Sequence, residues 1–146
     1  MTATGWVVFL HVVGAAIWAG GHLVLLIGPL REALRHRNPE PLLHFERQYE
    51  KVGLPALALQ LLTGLFLLWQ YQAWPFGAGA GPYDRLGQLK LLGLGLTLLL
   101  AAHARLRLLP RLNPQTLPLL ALHVLLVTCI ALGLLYLGIA SRYGGL

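Results

Sequence analysis

The chain has 146 residues, of which 57% are hydrophobic and 11% charged, with a formal net charge of +6 at pH 7. Soluble domains carry roughly 25% charged residues, so this composition excludes an ordinary water-soluble globule. The basic excess does not read as a nucleic-acid surface, because most Lys and Arg residues flank apolar runs, where they encode membrane orientation.

Four such runs lie at residues 6–30, 52–70, 86–109 and 117–139. A helix crosses a bilayer with roughly 20 apolar residues. The expected fold is therefore all-α, an integral membrane four-helix bundle forming a single transmembrane domain over residues 1–146. Its setting is the lipid bilayer, as a multi-pass protein of a bacterial-type inner membrane.

The first run begins near Gly5 and Trp6 and ends around Gly28 and Pro29. No charged segment precedes it, so it reads as a span rather than a cleaved signal. His11, Ala15, Trp18 and His22 follow the i, i+4, i+7, i+11 spacing of one helical face. Gly14, Gly20 and Gly21 lie around that face, where small residues let a neighbouring helix approach or leave room for a flat cofactor.

The following loop, residues 31–51, mixes Arg31, Arg35, Arg37, Arg47 and Lys51 with Glu32, Glu40, Glu46 and Glu50. Pro39 and Pro41 interrupt it, and residues 42–46 read as a helix start that runs along the surface or leads straight into the second span. His36 and His44 read as solvated loop residues. In the second span, Gly53, Ala56, Gln60, Thr63 and Gly64 form a small, polar stripe that points Gln60 inward, with Pro55 tolerated as a kink.

A Gly-rich outer loop from Trp74 to Tyr83 leads to the third run, which carries Lys90, His103, Arg105 and Arg107. Lys90 and His103 are thirteen residues apart, about 220° around a helix, so they cannot share one narrow centre. Asn113 and Pro114 mark a short turn into the fourth run, which carries His123. Cys129 is the single cysteine, which rules out an internal disulfide.

Eight basic residues (Arg31, Arg35, Arg37, Arg47, Lys51, Arg105, Arg107, Arg111) fall on one side of this topology and three (Arg85, Lys90, Arg142) on the other. Both termini are then expected on the non-cytoplasmic side. Imidazoles within a membrane are costly enough to be read as functional. Counting from flanking charges places His22, Gln60, His103 and His123 in one layer of the inner half if Arg105 and Arg107 snorkel to the headgroups, and leaves His103 interfacial if they do not. That layer is a candidate cofactor centre, with His22, His103 and His123 as metal ligands. His11 and Lys90 form a candidate outer pair, although a lysine there can also snorkel to the surface.

The stretch Leu10-His11-Val12-Val13-Gly14-Ala15-Ala16-Ile17-Trp18-Ala19-Gly20-Gly21 resembles the first helix of CopD-type membrane proteins. Gly53-Leu54-Pro55-Ala56-Leu57, Gln60, Thr63-Gly64-Leu65, Lys90-Leu91 and Ala102-His103-Ala104-Arg105-Leu106-Arg107 continue the likeness. So does the ending Ser141-Arg142-Tyr143-Gly144-Gly145. That resemblance implies a link to copper resistance. His11 and Lys90 also resemble the haem b-associated histidine and lysine of HemJ-type protoporphyrinogen oxidases, although the long Gly-rich loop, His22 and His123 depart from that pattern.

Cuprous ion prefers Met and Cys ligands, which this chain scarcely offers, whereas imidazole suits cupric ion, zinc and haem iron. The expected function is a histidine-ligated redox or metal centre in electron transfer, with haem b placed slightly ahead of a copper ion. CopD-like copper binding or transport is the alternative, and a structural subunit of a larger complex is a third. A redox partner, a metal chaperone or a second copy of the chain are the partners these readings imply.

Overall fold

The computed structural model describes residues 2–71 and 82–141, with side chains described from residue 85 onward in the second segment. Most of the Gly-rich loop, Arg142 and the Tyr143-Gly144-Gly145 ending lie outside the described residues. Everything described is helix or short turn, with no strand.

Helix α1 spans Ala3–Ile27. Thr2 starts it, its side chain accepting the Gly5 N–H at 3.2 Å and so satisfying one of the helix's free donors. Gly28 breaks the helix, and Pro29, which lacks an N–H and suits a first helical turn, opens α2 over Pro29–His36. Arg37, at φ 51°, ends α2 in the left-handed region. The Asn38 side chain then accepts the Glu40 N–H at 3.0 Å, at the start of α3.

Helix α3 runs unbroken from Glu40 to Gln70 through Pro55. Of the two courses open to residues 42–46, the structure takes the direct one into the span. At 31 residues the helix is about 46 Å long, so its first turns extend well beyond the roughly 30 Å hydrocarbon layer.

Helix α4, Pro82–His103, passes into a π-helical segment over Ala104–Leu108 and a 3₁₀ turn over Leu109–Arg111. Pro110 has no N–H for the Leu106 carbonyl, and its ring crowds that carbonyl. The backbone widens one turn earlier instead, with the Leu109 N–H bonding to the Ala104 carbonyl. Asn113 organises the next turn, its side-chain oxygen accepting the N–H groups of Gln115 and Thr116 at 2.9 and 3.0 Å. Helix α5, Leu117–Ala140, completes the chain.

The long helices pack antiparallel to their neighbours in the order α3, α1, α5, α4, with α2 folded against α3 and α5. Two apolar clusters fill the interior. One, at the end bearing the charged turns, joins Leu25, Leu30, Ala33, Leu42, Leu108, Leu117, Leu120 and Val124. The other, nearer mid-bundle, joins Trp18, Ala19, Leu57, Val127 and Ala131.

Four helical segments, Ala3–His36, Glu40–Gln70, Arg85–Arg111 and Leu117–Ala140, are long and apolar enough to cross a membrane. Their outward faces expose Ile27, Leu62, Leu99 and Leu106, a surface that lipid accepts and water does not. Trp6, Trp69 and Tyr136 lie exposed toward the end opposite the charged turns, as an interfacial aromatic belt requires.

Candidate functional site

The last residue of α4 and the second turn of α5 bring two imidazoles together. His103 Nδ1 and His123 Nε2 are 2.8 Å apart, with the rings stacked at a centroid distance of 4.9 Å. His123 is buried and His103 exposed. His123 Nδ1 lies 2.9 Å from the Leu119 carbonyl. A carbonyl only accepts, so His123 is an Nδ1–H tautomer, and its Nε2 accepts the Nδ1–H of His103. The backbone thus fixes which nitrogen His123 presents, the device that orients metal-ligating imidazoles.

His22 is held the same way, with Nδ1 donating to the Trp18 carbonyl at 2.9 Å. Its ring lies against Trp18 at 4.4 Å and edge-on to Tyr49 at 5.9 Å. His22 and His123 both line a cavity of about 110 Å³ between the four long helices, together with Trp18, Glu46, Tyr49, Glu50 and Arg105. Arg105, on the π-helical segment, pairs with Glu46 at 3.5 Å and with Glu50. The ion pairs link α3 to the π segment after α4, although α3 and α4 do not pack along each other.

Toward the opposite end, His11 meets α3. The Thr63 hydroxyl donates to the Leu59 carbonyl at 2.5 Å, so its oxygen accepts His11 Nδ1–H at 2.9 Å. Gln60 Nε2 donates to the His11 carbonyl at 2.9 Å. Lys90 is half-buried and within electrostatic reach of His11.

This register removes Gln60 from the inner layer. Lys51 does not mark the membrane edge, because α3 begins at Glu40 and Tyr49, two residues before Lys51, already lies against His22. Gln60 consequently pairs with His11, three turns from His22. The three inner histidines also do not converge as one cage. Among the described residues no group of three or more His, Cys, Asp or Glu side chains is placed to hold a metal ion. His103 and His123 form a pair, and His22 faces the same cavity as His123 without bonding to it.

Haem b does not fit this arrangement. Cofactor-sized pockets run to roughly 300–1,000 Å³, against about 110 Å³ here. Of the first-span glycines expected to flank a flat group, Gly14 and Gly21 are instead occupied by neighbours, and Gly20 alone is open. A β-carbon on Gly14 would fall 2.9 Å from the Gln60 side chain and one on Gly93 2.9 Å from Leu134, while Gly21 accommodates the Tyr49 ring. His103 and His123, in direct hydrogen bond, leave no gap for a macrocycle.

Tyr49 is the residue that sequence reasoning missed. Its hydroxyl donates to the Ile17 and Trp18 carbonyls at 3.1 and 3.2 Å, and so buttresses the backbone group that orients His22. The signal was the spacing of Glu46, Tyr49, Glu50 and Gly53 along one helical face, obscured by treating the region as a loop.

Neither a curated protein nor a solved structure matches the chain. The sequence pattern of the family described as "Copper resistance protein D", CopD, matches residues 43–142. That segment contains Gln60, Lys90, His103 and His123 and leaves His11 and His22 outside, and it lends nothing to the HemJ likeness. With the match spanning more than half of an all-helical chain that has four membrane-spanning segments, the chain belongs to the CopD family of membrane proteins linked to copper resistance.

Proposed function

We propose that the chain binds copper ions within the membrane and passes them between its two faces, with the His103–His123 pair as the transit site. The observation that carries this reading is the 2.8 Å contact between two imidazole nitrogens, one of them oriented by a backbone carbonyl. Both residues lie within the CopD match.

Copper is the cargo here, and it replaces the proton the two rings share. His103 moves its proton from Nδ1 to Nε2, leaving Nδ1 and His123 Nε2 to donate lone pairs to the ion. Imidazole–metal bonds of about 2.0 Å require the nitrogens to part to about 4 Å in a linear arrangement. His103 is the exposed partner beside the π segment, so it is the ring that moves. Two nitrogens suit low-coordinate cuprous ion, and the lack of thiolate or thioether ligands keeps the site weak. A transit site must bind well enough to load and loosely enough to release.

Anaerobic titration of the purified protein with cuprous ion is expected to give one ion per chain, with X-ray absorption reporting a two-nitrogen shell. A protein that takes up no stoichiometric copper, or binds it through sulfur, overturns the proposal. With both termini outside the cytoplasm, the His103–His123 pair sits toward the cytoplasmic end of the bundle, and the eight-to-three basic asymmetry is the support for that orientation. Reporter fusions at Leu146 and within residues 31–51 should report opposite sides, with the loop cytoplasmic, and a cytoplasmic Leu146 would reverse the orientation.

A further inference from the structure

A concavity roomier than the histidine-lined cavity lies away from the histidines. At the end bearing the charged turns, the junction of α1 and α2 and the first turns of α5 enclose a groove of about 500 Å³. Its walls are apolar, including Ile27, Leu34, Ala121, Leu122 and Leu125, and its single charged residue is Arg31. Four of these side chains, Ile27, Leu34, Leu122 and Leu125, are strongly exposed, so the groove opens outward from the bundle.

Depth decides what can occupy it. Arg31 is the first charged side chain in the sequence and lies four residues beyond the end of α1, whose 25 residues span about 37 Å. The hydrocarbon layer is roughly 30 Å thick, so Arg31 sits at headgroup level while Ile27, Leu122 and Leu125 lie deeper. Arg31 is exposed, and among the described residues the ion pairs formed are those of Arg105. Arg35, one turn further along α2, strengthens the positive edge.

We propose that this groove holds an anionic phospholipid, with its phosphate on Arg31 and an acyl chain laid along Ile27, Leu122 and Leu125. The guanidinium fork matches a phosphate in charge and geometry, and basic pockets between transmembrane helices take anionic headgroups. The apolar walls distinguish a lipid from a free anion, which would gain nothing from them. The site is independent of the copper reading and stands or falls without it.

The test uses delipidated full-length protein in detergent, with phosphatidylglycerol and phosphatidylcholine compared by native mass spectrometry and thermal unfolding. Phosphatidylglycerol is expected to give a one-to-one adduct and a raised melting temperature, with phosphatidylcholine and inorganic phosphate giving neither. Arg31→Gln should weaken retention about fivefold, the effect of roughly one basic residue near a lipid surface. Ala121→Phe, which fills the groove, should also weaken it. Equal retention of the two lipids, or full retention by Arg31→Gln, overturns the proposal. Arg31 is exposed, so its variant remains informative even if Ala121→Phe does not fold.

Discussion

His123→Ala is expected to lose copper affinity at least tenfold in the anaerobic titration, since even indirect supports of a metal ligand contribute about 10–100-fold. The substitution removes the one imidazole nitrogen that is both buried and aimed by a backbone carbonyl. His103→Ala should lose copper to the same degree, because the two rings contribute one nitrogen each. His11→Ala should keep the wild-type stoichiometry, as His11 is committed to Thr63 on the far side of the bundle. His22→Ala tests the cavity, which His22 shares with His123, and should retain the ion with a changed rate of release. Wild-type binding by both His123→Ala and His103→Ala would remove the pair from the mechanism. Loss confined to His11→Ala would move the site to the outer half.

A second large effect is expected from the smallest of substitutions. A β-carbon on Gly21 would fall within the Tyr49 ring, and the opposite edge of that ring is closed by Gly53, where an added carbon would lie 2.7 Å away. Tyr49 therefore cannot step aside cheaply. Gly21→Ala should force it out of its slot, break its bonds to the Ile17 and Trp18 carbonyls and destabilise the bundle by about 1–3 kcal/mol, the usual scale of overpacking. Gly20→Ala is the internal control, because its added carbon would meet nothing within 4 Å. Thermal unfolding in detergent should separate the two variants clearly. Equal stability would mean that Tyr49 is not locked between the helices.

The four spans were legible because lipid demands long apolar helices, a constraint that hydropathy reports directly. The Gly28 and Pro29 break was legible for a similar reason, since both residues act locally on the backbone. Depth was harder. Charge marks an interface only where the charged residue lies at one, and Lys51 follows by two residues Tyr49, which already packs against His22. Counting from Lys51 therefore put Gln60 at the wrong level. The π segment also escaped notice, because Pro110 acts on carbonyls a turn away and the apolar run continues through it. Among the candidate site residues, His103 and His123 lie in direct contact, but that contact depends on how α4 and α5 are rotated, which periodicity in an apolar helix does not encode. The glycines announced that something comes close. They did not say whether it was a cofactor or a tyrosine.

The helix order has a mechanical meaning. The bundle is built like an open book, with α1 and α5 forming the spine and α3 and α4 the two covers. Arg105 is the clasp, reaching from the edge of one cover to Glu46 and Glu50 on the other. A clasp of charge differs from a seam of packed side chains, because salt weakens it and water can replace it. The rim of the histidine-lined cavity is therefore held by charges that ionic strength can loosen, while its depth is held by close packing that ionic strength leaves alone.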